Sequence, residues 1–319
     1  VSTTVSVDLG GTWLRIRHGH TTARLPSPSA LRQPDTSPDD LLQQLVDTLD
    51  RHVPQGAAAN ISCGAALDEQ NGIALGSGPL WGGAPTGEIP LLHVLSSRRP
   101  DVRWKLVNDV TAGLASFALR FARPTDRHIA YLTISSGIAA RTALLTERTI
   151  PVDHRGLQGE VGHLRASSSA PEAVRTLRCA CGGIGHVSSI SSGPAVQAVA
   201  HALDIRYDVD TFAASLAADD ADATRLLRTV VEPIAELIRT MLALDPRLDR
   251  IGIGGGVAEG LCECYRRELE RQLVETRSYA DSLTSERVAE IIYLCKPGDI
   301  DTLTGADAIA DGYLRVTKI

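Results

Sequence analysis

Two segments of the chain repeat one local design, and that repetition limits the possible folds more than any bulk property does. "VSVDLGGTWLRIRH" (5–18) and "HIAYLTISSGIAARTALL" (128–145) each run strand, small-residue turn, strand. In the first, Val5 and Val7 alternate with polar residues, and Leu14 and Ile16 do so again after a glycine pair. Alternation on both sides of a Gly-Gly step marks a hairpin with one buried face. Two such hairpins in one chain point to two similar halves, although their residues differ too much to establish an internal repeat.

The segments around the hairpins alternate between helical and strand patterns, which makes the class α/β. "SPDDLLQQLVDTLDRH" reads as a helix: Ser37 as N-cap, Pro38 in the first turn, Asp39 and Asp40 against the dipole, and Leu41, Leu42, Leu45, Val46 and Leu49 on one face. "NISCGAAL" is an apolar strand, and "GSGPLWGGAPTGEIP" is a glycine-proline loop containing Trp81. "DVRWKLVND" is a strand ending in polar residues, followed by a helix over "VTAGLASFALRF". The longest helix, "DATRLLRTVVEPIAELIRTMLALDP", carries Pro233, which predicts a kink. "RIGIGGGVAEG" runs from strand through glycine turn into helix; "ERVAEIIYL" holds a last strand and "GADAIADGYLRV" a last helix.

At 319 residues the chain is long for one core and comfortable for two. Aromatic residues make up only 4% and there is one Met, so aliphatic side chains must fill both cores. The formal charge of −6 argues against a nucleic-acid surface. The sequence has neither a membrane-length apolar run nor a charged-then-apolar leader, so no membrane partner and a cytoplasmic location are expected. Six cysteines without a signal peptide read as reduced thiols, for which metal binding or burial is expected before cross-linking.

Three turns could cup phosphates. "DLGGT" places Asp8 at a strand end before Gly10, Gly11 and Thr12, where bare backbone N–H groups can approach phosphate oxygens and an acid can hold Mg²⁺ through water. "ISSGIAAR" offers Ser136 and Gly137, and "GIGGGVAEG" places Gly255 and Gly256 at the start of a helix. Each is weak alone, and the first reads equally as a plain hairpin turn. In this order, with Asn108 and Asp109 at a strand end between the first two, they are much stronger.

With "GEVGH" (159–163) and "CACGGIGH" (179–186), these motifs make the chain resemble the ROK family of sugar kinases over nearly its whole length. The resemblance implies a two-lobed actin/hexokinase-like (ribonuclease H-like) ATPase fold. Residues 1–109 would form a small lobe completed by a C-terminal helix at 304–319, and residues 110–303 a large lobe. It implies ATP with Mg²⁺ near Asp8, phosphates against Gly10, Gly11, Thr12, Ser136 and Gly137, and adenosine by Gly255 and Gly256. Asp109 would accept the proton of a primary alcohol, Asn108 would fix a neighbouring hydroxyl, and Glu160 and His163 would bind ring hydroxyls of a sugar-like substrate. A homodimer is also implied. The family's repressors, which carry a DNA-binding segment ahead of the first phosphate loop, are a poorer match.

Two departures from the family pattern matter. The family's zinc is held by the His of GEIGH and three cysteines; here the corresponding residues are His163, Cys179, Cys181 and His186. A His₂Cys₂ set suits tetrahedral Zn²⁺; the other reading is a glycine-rich turn with two incidental thiols. "LRASSSAPEAVRTLR" between His163 and Cys179 is an inserted loop. Ser188 stands where glucose-binding members carry a Glu, and loss of that carboxylate forfeits a charge-assisted hydrogen bond worth about 1.5–3 kcal/mol. The substrate is therefore expected to differ from glucose at its anomeric end. A C7 cyclitol of the 2-epi-5-epi-valiolone or valienone type fits, with glucose or an amino sugar such as kanosamine as the alternatives.

Overall fold

The computed structural model describes residues 3–82, 87–275 and 283–319. In chain order, β1 (Thr4–Leu9), β2 (Trp13–His18) and β3 (Thr21–Pro26) form a meander, followed by α1 (Pro38–His52), β4 (Ala58–Cys63), the short hairpin β5 (Ala66–Asp68) and β6 (Ile73–Gly76), α2 (Gly78–Trp81) and α3 (Leu91–Arg98). β7 (Arg103–Asn108) runs directly into α4 (Asp109–Phe121). Next come β8 (His128–Ile134), β9 (Ile138–Leu144), β10 (Thr149–Val152), a 3₁₀ turn (Val161–His163), α5 (Glu172–Arg175), α6 (Ser188–Ser191), α7 (Gly193–Ala202) and α8 (Phe212–Ala217). The chain ends with α9 (Ala221–Leu244), β11 (Arg250–Gly254), α10 (Gly256–Val274), α11 (Ser285–Ile291), β12 (Ile292–Leu294), α12 (Thr302–Ala310) and β13 (Arg315–Lys318).

These elements divide into two compact units: residues 1–121, 141–159 and 300–319, and residues 122–140 with 160–299. The first unit thus runs past Asp109 to Phe121 and takes back residues 141–159. Its main sheet has the order β3-β2-β1-β4-β7, with β1, β4 and β7 parallel. In the second unit β12, β11 and β8 are parallel neighbours, with the start of β9 beside β8. A hairpin feeding two parallel strands on its first-strand side therefore occurs in both, so the two halves share their topology.

Local chemistry explains the elements legible in the sequence. Ser37 caps α1 by accepting the Asp40 N–H at 3.2 Å, and Leu41, Leu45, Val46 and Leu49 are buried against Val5, Val7, Leu14 and Ile61 of the sheet. In the second unit α9 and α10 lay Val230, Ile234, Ile238, Tyr265 and Leu269 over Leu132, Ile134, Ile251 and Ile253. Among the described residues, no helix is long and apolar enough to cross a membrane.

The structure corrects several sequence expectations. Gly19, at φ 58°, turns the chain into a third strand, β3, which pairs in register with β2. Within the glycine-proline loop, residues 78–81 form a helical turn that buries Trp81, while residues 83–86 lie outside the described residues. The last helix does not continue to 319: it stops at Ala310, Gly312 turns with φ 77°, and Arg315–Lys318 pairs with β10 instead. α9 stays helical through Pro233, and the non-helical backbone falls at Cys262 in α10, with φ 40° and ψ −109°.

α12 and α4 approach closely because both carry small residues at the contact. A Cβ on Gly305 would overlap the carbonyl of Ala112, and backbone cannot yield as a flexible side chain can. Gly305→Ala is therefore expected to cost about 1–3 kcal/mol, read as a lower denaturation midpoint with unchanged slope.

Candidate active site

In the first unit, register assembles the site. Leu9 pairs with Cys63 and Cys63 with Asn108, so the C-terminal ends of β1, β4 and β7 lie side by side. Ligands of open α/β sheets bind at such an edge. The "DLGGT" turn leaves β1 there, closed by Gly10 N–H to Trp13 carbonyl at 3.1 Å, with Thr12 exposed. Gly11 is glycine for want of space, since a Cβ would stand 2.6 Å from Pro79. Asp109 opens α4 at the same edge, its Oδ2 3.4 Å from where a Cβ on Gly64 would be.

Asp8 is held from several sides. Oδ1 accepts from Ser62 Oγ at 3.0 Å and Thr302 Oγ1 at 2.7 Å, and Oδ2 receives Arg15 Nε at 3.0 Å. Cys63, fully buried, feels Asp109 and Asp8 together: desolvation first, then these two charges, push its thiol far above the ordinary range. Two carboxylates near one buried thiol are hard oxygen donors of the kind that suit Mg²⁺.

Asn108 is only 3% exposed, and its side chain is turned to the backbone. Oδ1 accepts the N–H groups of Val110 at 3.0 Å and Thr111 at 3.3 Å, and Nδ2 donates to the Ala65 carbonyl at 2.7 Å. It caps α4 and leaves one Nδ2–H for any hydroxyl. The residue that holds its own N–H is Glu69, at 2.8 Å, in a "DEQNG" stretch that reads as nothing more than a turn.

In the second unit, Ser136 and Gly137 sit exposed at the tip between β8 and β9, where the Ser135 N–H donates to the Gly137 carbonyl at 2.9 Å. β11 pairs with β8 so that Gly254 faces Thr133, which brings the Gly255–Gly256 turn against the start of that tip. Gly255 has φ 96°, and a Cβ there would stand 2.6 Å from the Ile134 carbonyl oxygen, so both conformation and space require glycine. The N-terminus of α7 joins them, Gly193 N–H donating to the Ser135 carbonyl at 2.8 Å. Sequence reasoning missed this third wall, although "SSGP" is a helix-start signal. The Gly255 N–H is taken by Glu259 Oε1 at 2.9 Å, and burial raises the pKa of that carboxyl.

The "GEVGH" turn lies against Ser188, since a Cβ on Gly162 would overlap both Ser188 Oγ and the Ile138 carbonyl. Glu160 is half-buried at the head of this turn. His163, Cys179, Cys181 and His186 place one ligand atom each within 4.8 Å of all the others. His163 Nδ1 is 3.7 Å from Cys179 Sγ, and His186 Nδ1 is 3.3 Å from Cys181 Sγ. Those values bracket the edge of roughly 3.5 Å that ordinary zinc–sulfur and zinc–nitrogen lengths give a tetrahedron. Desolvation lowers the pKa of His163, favouring the neutral imidazole a metal needs, and Gly183 is bare because His186 fills the space of its Cβ. The inserted loop is tied down by Glu232, which accepts from Ser168 Oγ and the Ser169 N–H, both at 2.9 Å.

Comparison with known proteins identifies the fold and the family. Among solved structures, a ROK family glucokinase from Streptomyces griseus, in complex with glucose and AMPPNP, superposes with a TM-score of 0.68 at 18% identity, covering 96% of this chain and 98% of that one. The fold is thus that of the actin/hexokinase-like ATPases. A family model described as "ROK family" matches residues 4–312, and the chain belongs to the ROK family. Among curated relatives, a 2-epi-5-epi-valiolone 7-kinase from an Actinoplanes strain is 40% identical over 95% of this chain and 91% of its own. A C(7)-cyclitol 7-kinase from Streptomyces hygroscopicus is 28% identical over 98% and 95%.

The setting of Cys63 makes a chemical prediction. Its thiolate would have to form without water and beside two carboxylates, so a thiol reagent should leave it unlabelled in the native protein while reacting at the partly exposed Cys264. Peptide mapping after native labelling checks this; equal labelling of both would contradict the buried geometry.

Proposed function

We propose that the chain transfers the γ-phosphoryl group of ATP to the primary hydroxyl of a C7 cyclitol of the 2-epi-5-epi-valiolone type. The observation that carries this reading is the 40% identity, over 95% of the chain, to a kinase of that specificity. Ser188 supports it independently, because a serine behind the "GEVGH" turn lacks the carboxylate that glucose-binding members offer to the anomeric end. A cyclitol has no hemiacetal, so it loses nothing by that change.

The residues divide the work. Asp109 takes the proton of the attacking hydroxyl, and Asp8, held by Ser62, Thr302 and Arg15, is set to hold Mg²⁺ through water. When bound, Mg²⁺ neutralises charge on the phosphate oxygens. The glycine turns at Gly10–Thr12, where Gly10 N–H closes the turn onto Trp13, and Ser136–Gly137 offer their remaining N–H groups to phosphates, and Gly255–Gly256 leaves room for adenosine. Glu160 and His163 receive ring hydroxyls. His163, Cys179, Cys181 and His186 would hold a structural Zn²⁺, which orients the His163 ring and takes no part in the transfer.

Phosphorylation assays across glucose, mannose, N-acetylglucosamine, kanosamine and C7 cyclitols test the substrate. Selective turnover of a C7 cyclitol is expected, and selective turnover of glucose would sink the reading. Asp109→Asn should lower kcat by about 10²–10⁴-fold with the fold intact, whereas near-normal turnover would remove Asp109 as base. Ser188→Glu should gain glucose turnover relative to cyclitol. Protein purified without added zinc should carry about one zinc per chain, and chelation should lower its melting temperature. A zinc content near zero, with melting indifferent to chelators, would leave the knuckle as a metal-free turn.

A further inference from the structure

We propose that Glu69 is a positioning residue for Asp109: together with Thr111 and Arg141 it fixes the turn between β7 and α4 from which Asp109 projects. This rests on the kinase reading with Asp109 as base, and nothing in the family motifs assigns Glu69, Thr111 or Arg141 a part in it.

Asn108, the residue before Asp109, is held from three directions. Glu69 Oε1 accepts the Asn108 N–H at 2.8 Å, the Asn108 side chain caps Val110 and Thr111, and Nδ2 donates to Ala65 at 2.7 Å. The second layer lies behind these contacts. Arg141, 2% exposed on β9, donates from Nε to Thr111 Oγ1 at 3.3 Å and from a terminal nitrogen to the Gly156 carbonyl at 2.9 Å. The Thr111 hydroxyl and the Arg141 charge both act on the Glu69 carboxylate, which burial nevertheless keeps above its usual pKa.

Glu69 Oε2 is buried and has no hydrogen-bond partner. A carboxylate placed this way costs desolvation that the Asn108 N–H and the Thr111 hydroxyl recover only in part. An arrangement that costly, at the residue preceding the base, is explained if the gain is geometric. A base misplaced by about 1 Å can lose some 10²-fold in rate, and among the described residues Glu69 is the group that fixes the Asn108 N–H. The Thr111 hydroxyl and the Arg141 charge offset part of that cost, and the bond to the Asn108 N–H is the one that reaches the strand end.

The test compares Glu69→Ala, Glu69→Gln and Thr111→Val in steady-state kinetics with ATP and the best-turned-over polyol, alongside thermal melts. Glu69→Ala should lower kcat about 10- to 100-fold while KM for ATP stays within about threefold. Glu69→Gln, which retains an acceptor oxygen for the Asn108 N–H, should restore kcat to within about threefold of wild type. Thr111→Val should lower kcat to a lesser extent at unchanged KM for ATP. A folded Glu69→Ala with wild-type kcat, or a folded Glu69→Gln as impaired as Glu69→Ala, overturns the proposal. If Glu69→Ala does not fold, unchanged kcat in Thr111→Val overturns it. Wild-type turnover, measured in parallel, separates the two levels: its absence on every polyol overturns the kinase reading, whereas its presence with indifferent variants overturns this inference alone.

Discussion

The first unit depends on the register of three parallel strands. Because Leu9, Cys63 and Asn108 stand abreast, a turn, a thiol and a helix start from different parts of the chain meet at one edge. A shift of one residue in any of these strands would send its alternate side chains to the opposite face and carry Asp8 or Asp109 away from the other. The register is secured by burial: Val5, Val7, Ile61 and Leu106 all lie in the core. The chemistry at the edge thus inherits its precision from the hydrophobic effect beneath it.

A polar network on the other side of the same sheet ties the C-terminal helix to it. Arg17 bridges Asp301 at 2.8 Å and Asp307 at 3.1 Å, Arg15 pairs with Asp8, and Asp307 also accepts from Ser6 and Asn60. These groups are partly exposed, so each ion pair contributes little to stability. Their effect is positional. Asp8 is bonded to Thr302 at the start of α12, and α12 lies against α4 through the small residues at Gly305 and Ala112. Asp8 and the helix that begins with Asp109 are therefore braced by one element from the far end of the chain.

Much of this was legible in the sequence, for physical reasons. Both hairpins, α1 and the strand ending at Asn108 announce themselves because alternation, capping and glycine turns are local. β13 has no local signal since its pairing is decided at long range by β10, whereas β3, joined to β2 by the tight turn at Gly19, fully buries none of its residues and so shows little apolar patterning. The helix over 302–310 was seen but overextended, because Gly312 and the partner strand overrule weak helical propensity. The site shows the same division. Asp109 and the glycine turns stand in motifs, whereas Glu69 and Arg141 acquire meaning only when β5 and β9 bring them to the foot of α4. Asn108 reads as a hydroxyl ligand, and nothing local reveals that Oδ1 and one of its Nδ2–H groups serve the backbone, leaving a single donor.

The histidine of the "GEVGH" turn joins the two departures of this chain from its family. Its Nδ1 faces Cys179, so the bond that would fix a metal uses one ring nitrogen and leaves Nε2 for a hydroxyl. A metal on Nδ1 dictates the tautomer, making Nε2–H a donor rather than an acceptor. Exchanging the family's third cysteine for His186 replaces an anionic ligand with a neutral one and so lowers the negative charge of the knuckle by one. The same turn rests on Ser188, where a second negative group is missing relative to glucose-binding members. Both changes make the region around this turn less anionic, which is the setting the proposed carbocyclic polyol, with one hydroxyl contact fewer, would require.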